Sequence, residues 1–212
     1  MTGPHQNQPL VTAGTPLEDA TAAIVAVHGR GAPAGSIVDI AETVHRPGVA
    51  ILAPQAANNT WYPQSFLEPV EQNEPGRTSG LRAVGDAVGR AVEANIPPER
   101  VLLLGFSQGA CLASEYVARN PRRYGGAVAF SGGLIGESID PGDYEGDLDR
   151  TPYFLGCSDR DPHIPVERVR ATTAVFERLN ADVEERIYEG MGHVVNEDER
   201  EYVAGMVAGL VE

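Results

Sequence analysis

Five short, almost uninterrupted apolar runs constrain the fold of this chain more than any other feature. Stretches with helical periodicity separate most of them, and the runs lie at 22–27, 49–53, 100–105, 126–130 and 152–156. Strands that are apolar throughout are covered on both faces, which is typical of a parallel sheet flanked by helices. The pattern therefore predicts an α/β protein.

Weaker patterns complete the predicted architecture. The run 183–188 alternates polar and apolar residues, as expected for an edge strand, and a short strand is expected near 8–13. Helices are predicted at 36–45, 78–95, 108–119, 166–180 and 197–211. Because no change of composition marks a boundary, we expect residues 1–212 to form a single domain.

The composition argues against several classes of protein. A formal net charge of −14 disfavours nucleic-acid binding, which needs a basic patch. No apolar run approaches the roughly 20 residues that span a bilayer, and the first ten residues lack the regions of a signal peptide. We therefore expect a cytoplasmic protein without a membrane span, with a homodimer left open.

The charged residues are themselves unusual. No lysine occurs, so all 16 basic residues are arginine, against 30 acidic ones. Such an acidic surface suits a salt-rich cytosol, where salt screens its self-repulsion; a GC-rich genome is the alternative explanation of the missing lysine. The two cysteines, Cys111 and Cys157, are expected to be buried free thiols.

The most specific motif is Gly105-Phe106-Ser107-Gln108-Gly109, which lies between a predicted strand and a predicted helix. This is G-x-S-x-G in the strand–turn–helix context of a nucleophile elbow, where small residues permit a sharp turn. The turn exposes the serine at the N-terminus of a helix, whose dipole favours developing negative charge. Ser107 is therefore the predicted nucleophile.

A serine nucleophile needs a base and an orienting carboxylate, each in a loop after a later strand. His193 follows the strand 183–188 and is the predicted base, whereas His163 follows an earlier strand and is expected near the rim of the site. Asp159 and Asp161 both follow the strand 152–156, and their position alone leaves both open as the acid. Pro162 and the lack of a glycine turn argue that this segment is not a calcium loop.

The segment His28-Gly29-Arg30-Gly31, which follows the first apolar run, has two interpretations. Read as G-x-G-x-x-A it resembles a dinucleotide-binding turn, which requires an acidic residue after the next strand. That strand ends in A-P-Q-A, so the second interpretation, a loop that presents backbone N–H groups to an oxyanion, is favoured. His28 precedes the serine and is expected to hold the loop.

Taken together, the motifs H-G-R-G, A-P-Q-A-x-N-x-T-W-Y-P, G-F-S-Q-G-A, D-P-H-I-P and G-M-G-H resemble the phospholipase/carboxylesterase family of small α/β-hydrolases, closest to its carboxylesterase members. The resemblance implies a mostly parallel sheet without a large cap domain and a Ser–Asp–His triad without a cofactor. No metal is expected either, because the sequence contains no H-E-x-x-H motif. The resemblance also selects Asp161 as the acid. Its oxyanion hole would use the backbone N–H groups of Arg30 and Gln108.

The expected function is that of a serine carboxylesterase that hydrolyses small to medium acyl esters through an acyl-enzyme. Long-chain lysophospholipase or acyl-thioesterase activity on the same triad, or a ligand-binding protein without catalysis, remain alternatives. Trp61, Tyr62 and Phe66 are expected to line the acyl pocket. The long loops 54–76 and 132–150 are expected to be functional or mobile.

Overall fold

A computed structural model describes residues 3–212 of the chain and contains a seven-stranded sheet of order β1-β3-β2-β4-β5-β6-β7. Strand β1 pairs antiparallel with β3, and every other pairing is parallel. The strands are β1 (Leu10–Gly14), β2 (Ala22–Val27), β3 (Val49–Pro54), β4 (Val101–Phe106), β5 (Gly126–Phe130), β6 (Pro152–Ser158) and β7 (Asp182–Tyr188).

Helices cover both faces of this sheet. Because successive side chains of a strand point to opposite faces, two hydrophobic clusters form, one with α1 and α5 and the other with α2, α3 and α4. The helices are α1 (Ala34–Thr43), α2 (Gly76–Glu93), α3 (Gln108–Arg119), α4 (Val166–Arg178) and α5 (Glu197–Ala208). The predicted α/β-hydrolase architecture is confirmed, and within residues 3–212 no inserted cap domain interrupts it.

The predicted elements lie within a few residues of their observed positions, and the alternating run 183–188 does form the edge strand β7. Helix α1 begins at Ala34 rather than at residue 36. The backbone N–H of Ala34 donates to Oε1 of Gln55, 2.9 Å away. A helix start that is capped by a residue after the next strand leaves no local signal in the sequence.

The loop 132–150 is packed against the body of the protein. The fully buried carboxylate of Glu115 accepts hydrogen bonds from the Ile135 amide (3.1 Å) and from the Tyr144 hydroxyl (3.3 Å). The same carboxylate pairs with Arg77 at 2.6 Å and with Arg119 at 2.5 Å. A buried charge needs such partners, and here they tie the loop to α2 and α3.

Both cysteines are buried free thiols, as the sequence predicts. Burial raises the pKa of Cys111 and of Cys157 to about 12. No helix in the described part of the chain is long and apolar enough to cross a membrane.

The junction of β4 and α3 brings three backbone segments unusually close together. A Cβ atom on Gly109 would lie 2.0 Å from the carbonyl oxygen of Val27, at the end of β2, and 2.5 Å from that of His28. A Cβ atom on Gly105 would lie 2.4 Å from the Gly109 carbonyl oxygen. Only glycine fits at these positions, because the opposing atoms belong to the backbone and cannot rotate away.

We predict that Gly109→Ala lowers the free energy of unfolding by about 3 kcal/mol or more, at the upper end of the cost of overpacking. The matched control is Gly89→Ala inside α2, where a Cβ atom would meet nothing within 4 Å. That change should raise stability by roughly 0.5–1 kcal/mol, because alanine is the better helix former. Urea unfolding of the two variants beside the wild type measures both effects, and equal stability of the two variants would contradict the prediction.

Candidate active site

Ser107 lies between the last residue of β4 and the first residue of α3, in a strained conformation with φ 55° and ψ −121°. Its amide donates to the Phe130 carbonyl at the end of β5, 2.9 Å away. Few non-glycine residues adopt such angles, and they cluster at functional sites. The strained turn directs the Ser107 hydroxyl to the carboxyl edge of the sheet.

Three polar side chains meet at this edge in one continuous chain of hydrogen bonds. His193 Nε2 lies 2.9 Å from Ser107 Oγ, and His193 Nδ1 lies 2.7 Å from Asp161 Oδ2. The three residues follow β4, β6 and β7, whose parallel carboxyl ends share one edge. This is the geometry in which a histidine removes the proton of a serine while a carboxylate orients the imidazole.

Asp161 is held as an ionised acceptor. Burial acts to raise the pKa of this carboxyl group, but the hydrogen bond from His193 and those from the amides of His163 (2.8 Å) and Ile164 (3.1 Å) outweigh it. The pKa of Asp161 therefore lies below its ordinary value. A carboxylate with these donors stabilises a positive charge on the imidazole of His193.

Asp159, the other acid candidate, has a different position. Its Oδ1 accepts a hydrogen bond from the Gly190 amide at 2.7 Å, and Ser158 Oγ accepts one from the Gly192 amide at 3.1 Å. Gly190 and Gly192 both have positive φ, 63° and 81°. Asp159 therefore shapes the loop that carries His193.

The far end of that loop is fixed by the start of α5. Asn196 and Glu199 form a capping box, in which each side chain accepts a hydrogen bond from the other residue's amide at 2.8 Å. Glu199 is fully buried, and burial raises its pKa to about 7. The loop from Gly190 to Asn196 is thus anchored on both sides of His193.

His163 lies at the exposed rim of the site, where its position in the sequence suggested. Its ring meets the ring of His193 edge to face, with the centroids 4.8 Å apart. Its amide donates to Asp161. His163 thus borders the site without joining the chain of hydrogen bonds that ends at Ser107.

Arg30 and Gln108, the two predicted oxyanion donors, both border the cleft beside Ser107. Gln108 is the first residue of α3, so its amide has no carbonyl partner within the helix. Arg30 lies in the loop after β2, between Gly29 and Gly31. The amide of Gly31, which a dinucleotide-binding turn would offer to phosphate, instead donates to the Asn59 carbonyl at 2.7 Å.

His28 is a structural residue. Its ring is fully buried, with Nδ1 2.8 Å from the Gly29 carbonyl oxygen and Nε2 accepting from the Ala56 amide at 3.1 Å. Burial lowers the pKa of His28, which keeps the ring neutral. The neutral ring links the loop after β2 to the end of β3, as expected.

A cleft of about 710 Å³ opens above Ser107, and Tyr62 and Phe66 contribute to its lining. The structure corrects the expectation for Trp61, which is fully buried and does not reach the cleft. Its indole N–H donates to the His28 carbonyl at 2.9 Å, and its ring packs on that of His28. The indole ring of Trp61 thus belongs to the hydrophobic core behind the residues that line the cleft.

Several residues that line the cleft were not expected from the sequence analysis. Phe106 immediately precedes the nucleophile, so its position in G-x-S-x-G could have indicated it. The others come from α1, α3 and the loop after β6, and they are Ile37, Ile40, Cys111 and Ile164. These apolar residues look like ordinary core in the sequence, and only the packing places them on the cleft.

Within residues 3–212, no three side chains among histidine, cysteine, aspartate and glutamate come together in a way that could hold a metal ion. Asp159 and Asp161, which alternate with His163 in the sequence, accept hydrogen bonds from different partners.

Comparison with known proteins shows solved structures with the same fold. A crystal structure of a phospholipase/carboxylesterase from Dyadobacter fermentans is 41% identical, covers 98% of this chain and 100% of its own, and superposes with a TM-score of 0.92. The carboxylesterase of Bacillus cereus has a TM-score of 0.76 at 15% identity over 97% of this chain and 95% of its own, and it shows a shared fold.

The sequence matches to curated relatives cover a smaller part of this chain. Acyl-protein thioesterase 1 of Kluyveromyces lactis is 32% identical over 58% of this chain, and that of Saccharomyces cerevisiae is 30% identical over 62%. The matched part spans 56% and 59% of these two relatives. The family model described as phospholipase/carboxylesterase matches residues 11–208. The chain therefore belongs to the phospholipase/carboxylesterase family.

Proposed function

We propose that the chain, expected to be a single domain over 1–212 and described by the structure from residue 3 onwards, is one hydrolase domain that cleaves carboxylic esters through a covalent serine intermediate. The observation that carries the proposal is the hydrogen-bond chain from Asp161 through His193 to Ser107, which ends at an open cleft. Membership of the phospholipase/carboxylesterase family supports the same reaction.

In the proposed reaction, Ser107 Oγ attacks the ester carbonyl carbon while His193 Nε2 takes the hydroxyl proton. The imidazolium then gives this proton to the leaving alcohol, and the C–O bond of the ester breaks. Water, deprotonated by the same imidazole, hydrolyses the acyl-enzyme and restores Ser107. Asp161 stabilises the imidazolium in both steps, and its lowered pKa keeps it ionised for this task.

The tetrahedral intermediates carry a negative oxygen, for which we propose the backbone N–H groups of Arg30 and Gln108 as donors. The position of Gln108 at the N-terminus of α3 supports this role, because the helix dipole adds positive potential there. The cleft beside these amides is mainly apolar and about 710 Å³ in volume, which suits a small to medium acyl ester. Acyl-thioester or lysophospholipid hydrolysis, and ligand binding without turnover, remain alternative functions.

We predict that Ser107→Ala abolishes hydrolysis of p-nitrophenyl esters, with kcat falling by about 10⁴-fold or more, because the covalent route is lost. The assay uses a series from acetate to palmitate, and a fluorophosphonate probe with mass spectrometry locates the labelled residue. We expect an adduct on Ser107 and an optimum at short or medium chains. Unchanged hydrolysis in the variant would overturn the mechanism, and an optimum at palmitate would favour the long-chain alternatives.

Asp161→Asn and Asp159→Asn form a matched pair that tests which aspartate orients His193. Asp161→Asn should lower kcat by roughly 10⁴-fold, the cost of the same change in a serine protease triad. Asp159→Asn should change kcat by less than about threefold, because its Oδ1 can still accept from the Gly190 amide. Steady-state kinetics of both variants decide the assignment, and the opposite order of effects would assign the acid to Asp159.

The setting of the enzyme follows from its composition. We propose that it acts in the cytoplasm of a cell rich in salt. A homodimer stays an open prediction. The net charge of −14 supports the salt-rich setting.

On this basis the melting temperature and the esterase activity should both rise from dilute buffer to molar KCl, since salt screens repulsion among the acidic groups. Sucrose at equal osmolality, which provides no screening, is the control. A flat response to KCl would leave codon usage as the explanation of the missing lysine.

A further inference from the structure

The segment Trp61–Gln64 belongs to no helix or strand; Tyr62, Pro63 and Gln64 line the cleft, and Trp61 packs in the core behind them. We call this segment the pocket wall. Backbone polar groups of such a segment need partners from elsewhere. Two residues supply most of them with their side chains, and these two are Arg30 and Gln108. The residues proposed to donate their backbone N–H groups to the oxyanion thus also bind the pocket wall.

Gln108 binds the first half of the segment. Its Oε1 accepts from the Trp61 amide at 2.9 Å, and its Nε2 donates to the Tyr62 carbonyl at 2.9 Å. The side chain is buried, so both bonds are shielded from competition by water. Because Gln108 begins α3, these bonds fix the wall to the helix start.

Arg30 binds the second half. Its guanidinium donates to the Pro63 carbonyl at 2.8 Å and to the Gln64 carbonyl, and it lies 5.9 Å from the centre of the Tyr62 ring. No helix or strand holds the backbone of Arg30, whereas Gln108 belongs to α3. Arg30 lies in a loop between two glycines, and Gly31 has a φ of 78°.

We propose that the side chains of Arg30 and Gln108 clamp the segment Trp61–Gln64 and so fix the two oxyanion amides relative to each other. Arg30 is then a positioning residue: its side chain binds the wall, which Gln108 also binds, and this contact fixes the position of the Arg30 backbone amide. The inference rests on the proposed esterase function. It implies that the pocket wall and the oxyanion hole form one rigid unit.

The matched control for this proposal is Asn73, which also holds the wall but contributes no oxyanion amide. This buried side chain accepts from the Gln64 amide at 2.9 Å and donates to the Ser65 carbonyl at 2.8 Å. A variant at Asn73 therefore loosens the same wall without releasing either clamp residue. Arg178→Met, on the exposed end of α4, controls for the loss of one arginine charge.

Arg30→Met should lower kcat on p-nitrophenyl butyrate by about 10–100-fold with KM changed less than about threefold, since complete loss of an oxyanion donor costs about 10²–10³-fold. Gln108→Met should lower kcat by a smaller factor, because the helix still holds its amide. Affinity for a boronic acid, which forms a tetrahedral adduct on serine, should fall in parallel with kcat/KM. Arg30→Lys keeps the charge but not the two-pronged donor, so it should recover only part of the loss.

The double variant should lose less than the product of the two single losses, because both side chains act on one segment. Trp61 is the only tryptophan, so acrylamide quenching of its fluorescence reports on the wall without any turnover. Quenching should increase in the clamp variants, while thermal melting confirms that they remain folded.

Three results would overturn the clamp. They are an unchanged kcat in Arg30→Met, an equal loss of kcat in Asn73→Leu, or unchanged Trp61 quenching in both clamp variants. A wild type that neither hydrolyses esters nor binds the boronic acid would instead refute the proposed function. In that case the quenching experiment still decides whether the two side chains hold the wall.

Discussion

The close contact between the start of α3 and the end of β2 governs the rest of the site. Because Gly109 has no side chain, the first turn of α3 lies directly on the carbonyl groups of Val27 and His28. That contact brings the start of α3 next to the loop of Arg30, and both Gln108 and Arg30 line one cleft. It also leaves Ser107 in a turn with φ 55°. The proposed nucleophile and both proposed oxyanion donors thus depend on one close approach of backbone segments.

The remaining polar groups of the site are placed by the parallel sheet. Asp161 and His193 follow adjacent strands, so their loops emerge side by side next to the turn of Ser107. Neither loop contains a helix or a strand of its own. Instead Asp159, Ser158 and the capping box of α5 bind the loop of His193. This support matters because hydrogen bonds within a proton-transfer chain tolerate only small displacements.

The wall of the cleft is likewise held by hydrogen bonds from side chains. The side chains of Gln108 and Arg30, rather than backbone groups, bind the backbone of Trp61–Gln64, which makes the wall sensitive to single substitutions. In the proposed function, substrate selectivity and stabilisation of the oxyanion therefore share residues. A change in the wall that accommodates a new acyl group would also act on the amides beside it.

The order of strands and helices, the sharp turn at Ser107 and the position of His193 beside it could be predicted from the sequence, because these depend on local periodicity and on motifs with fixed spacing. Position in the sequence left Asp159 and Asp161 equivalent. The family resemblance favours Asp161, and the tertiary structure gives the physical difference: the Asp161 carboxylate reaches the imidazole of His193, whereas the Asp159 carboxylate reaches the Gly190 amide. The tertiary structure also places Trp61 in the core rather than in the pocket, and it shows that the side chain of Gln55 caps α1. These choices depend on contacts between residues far apart in the chain, about which local patterns carry no information.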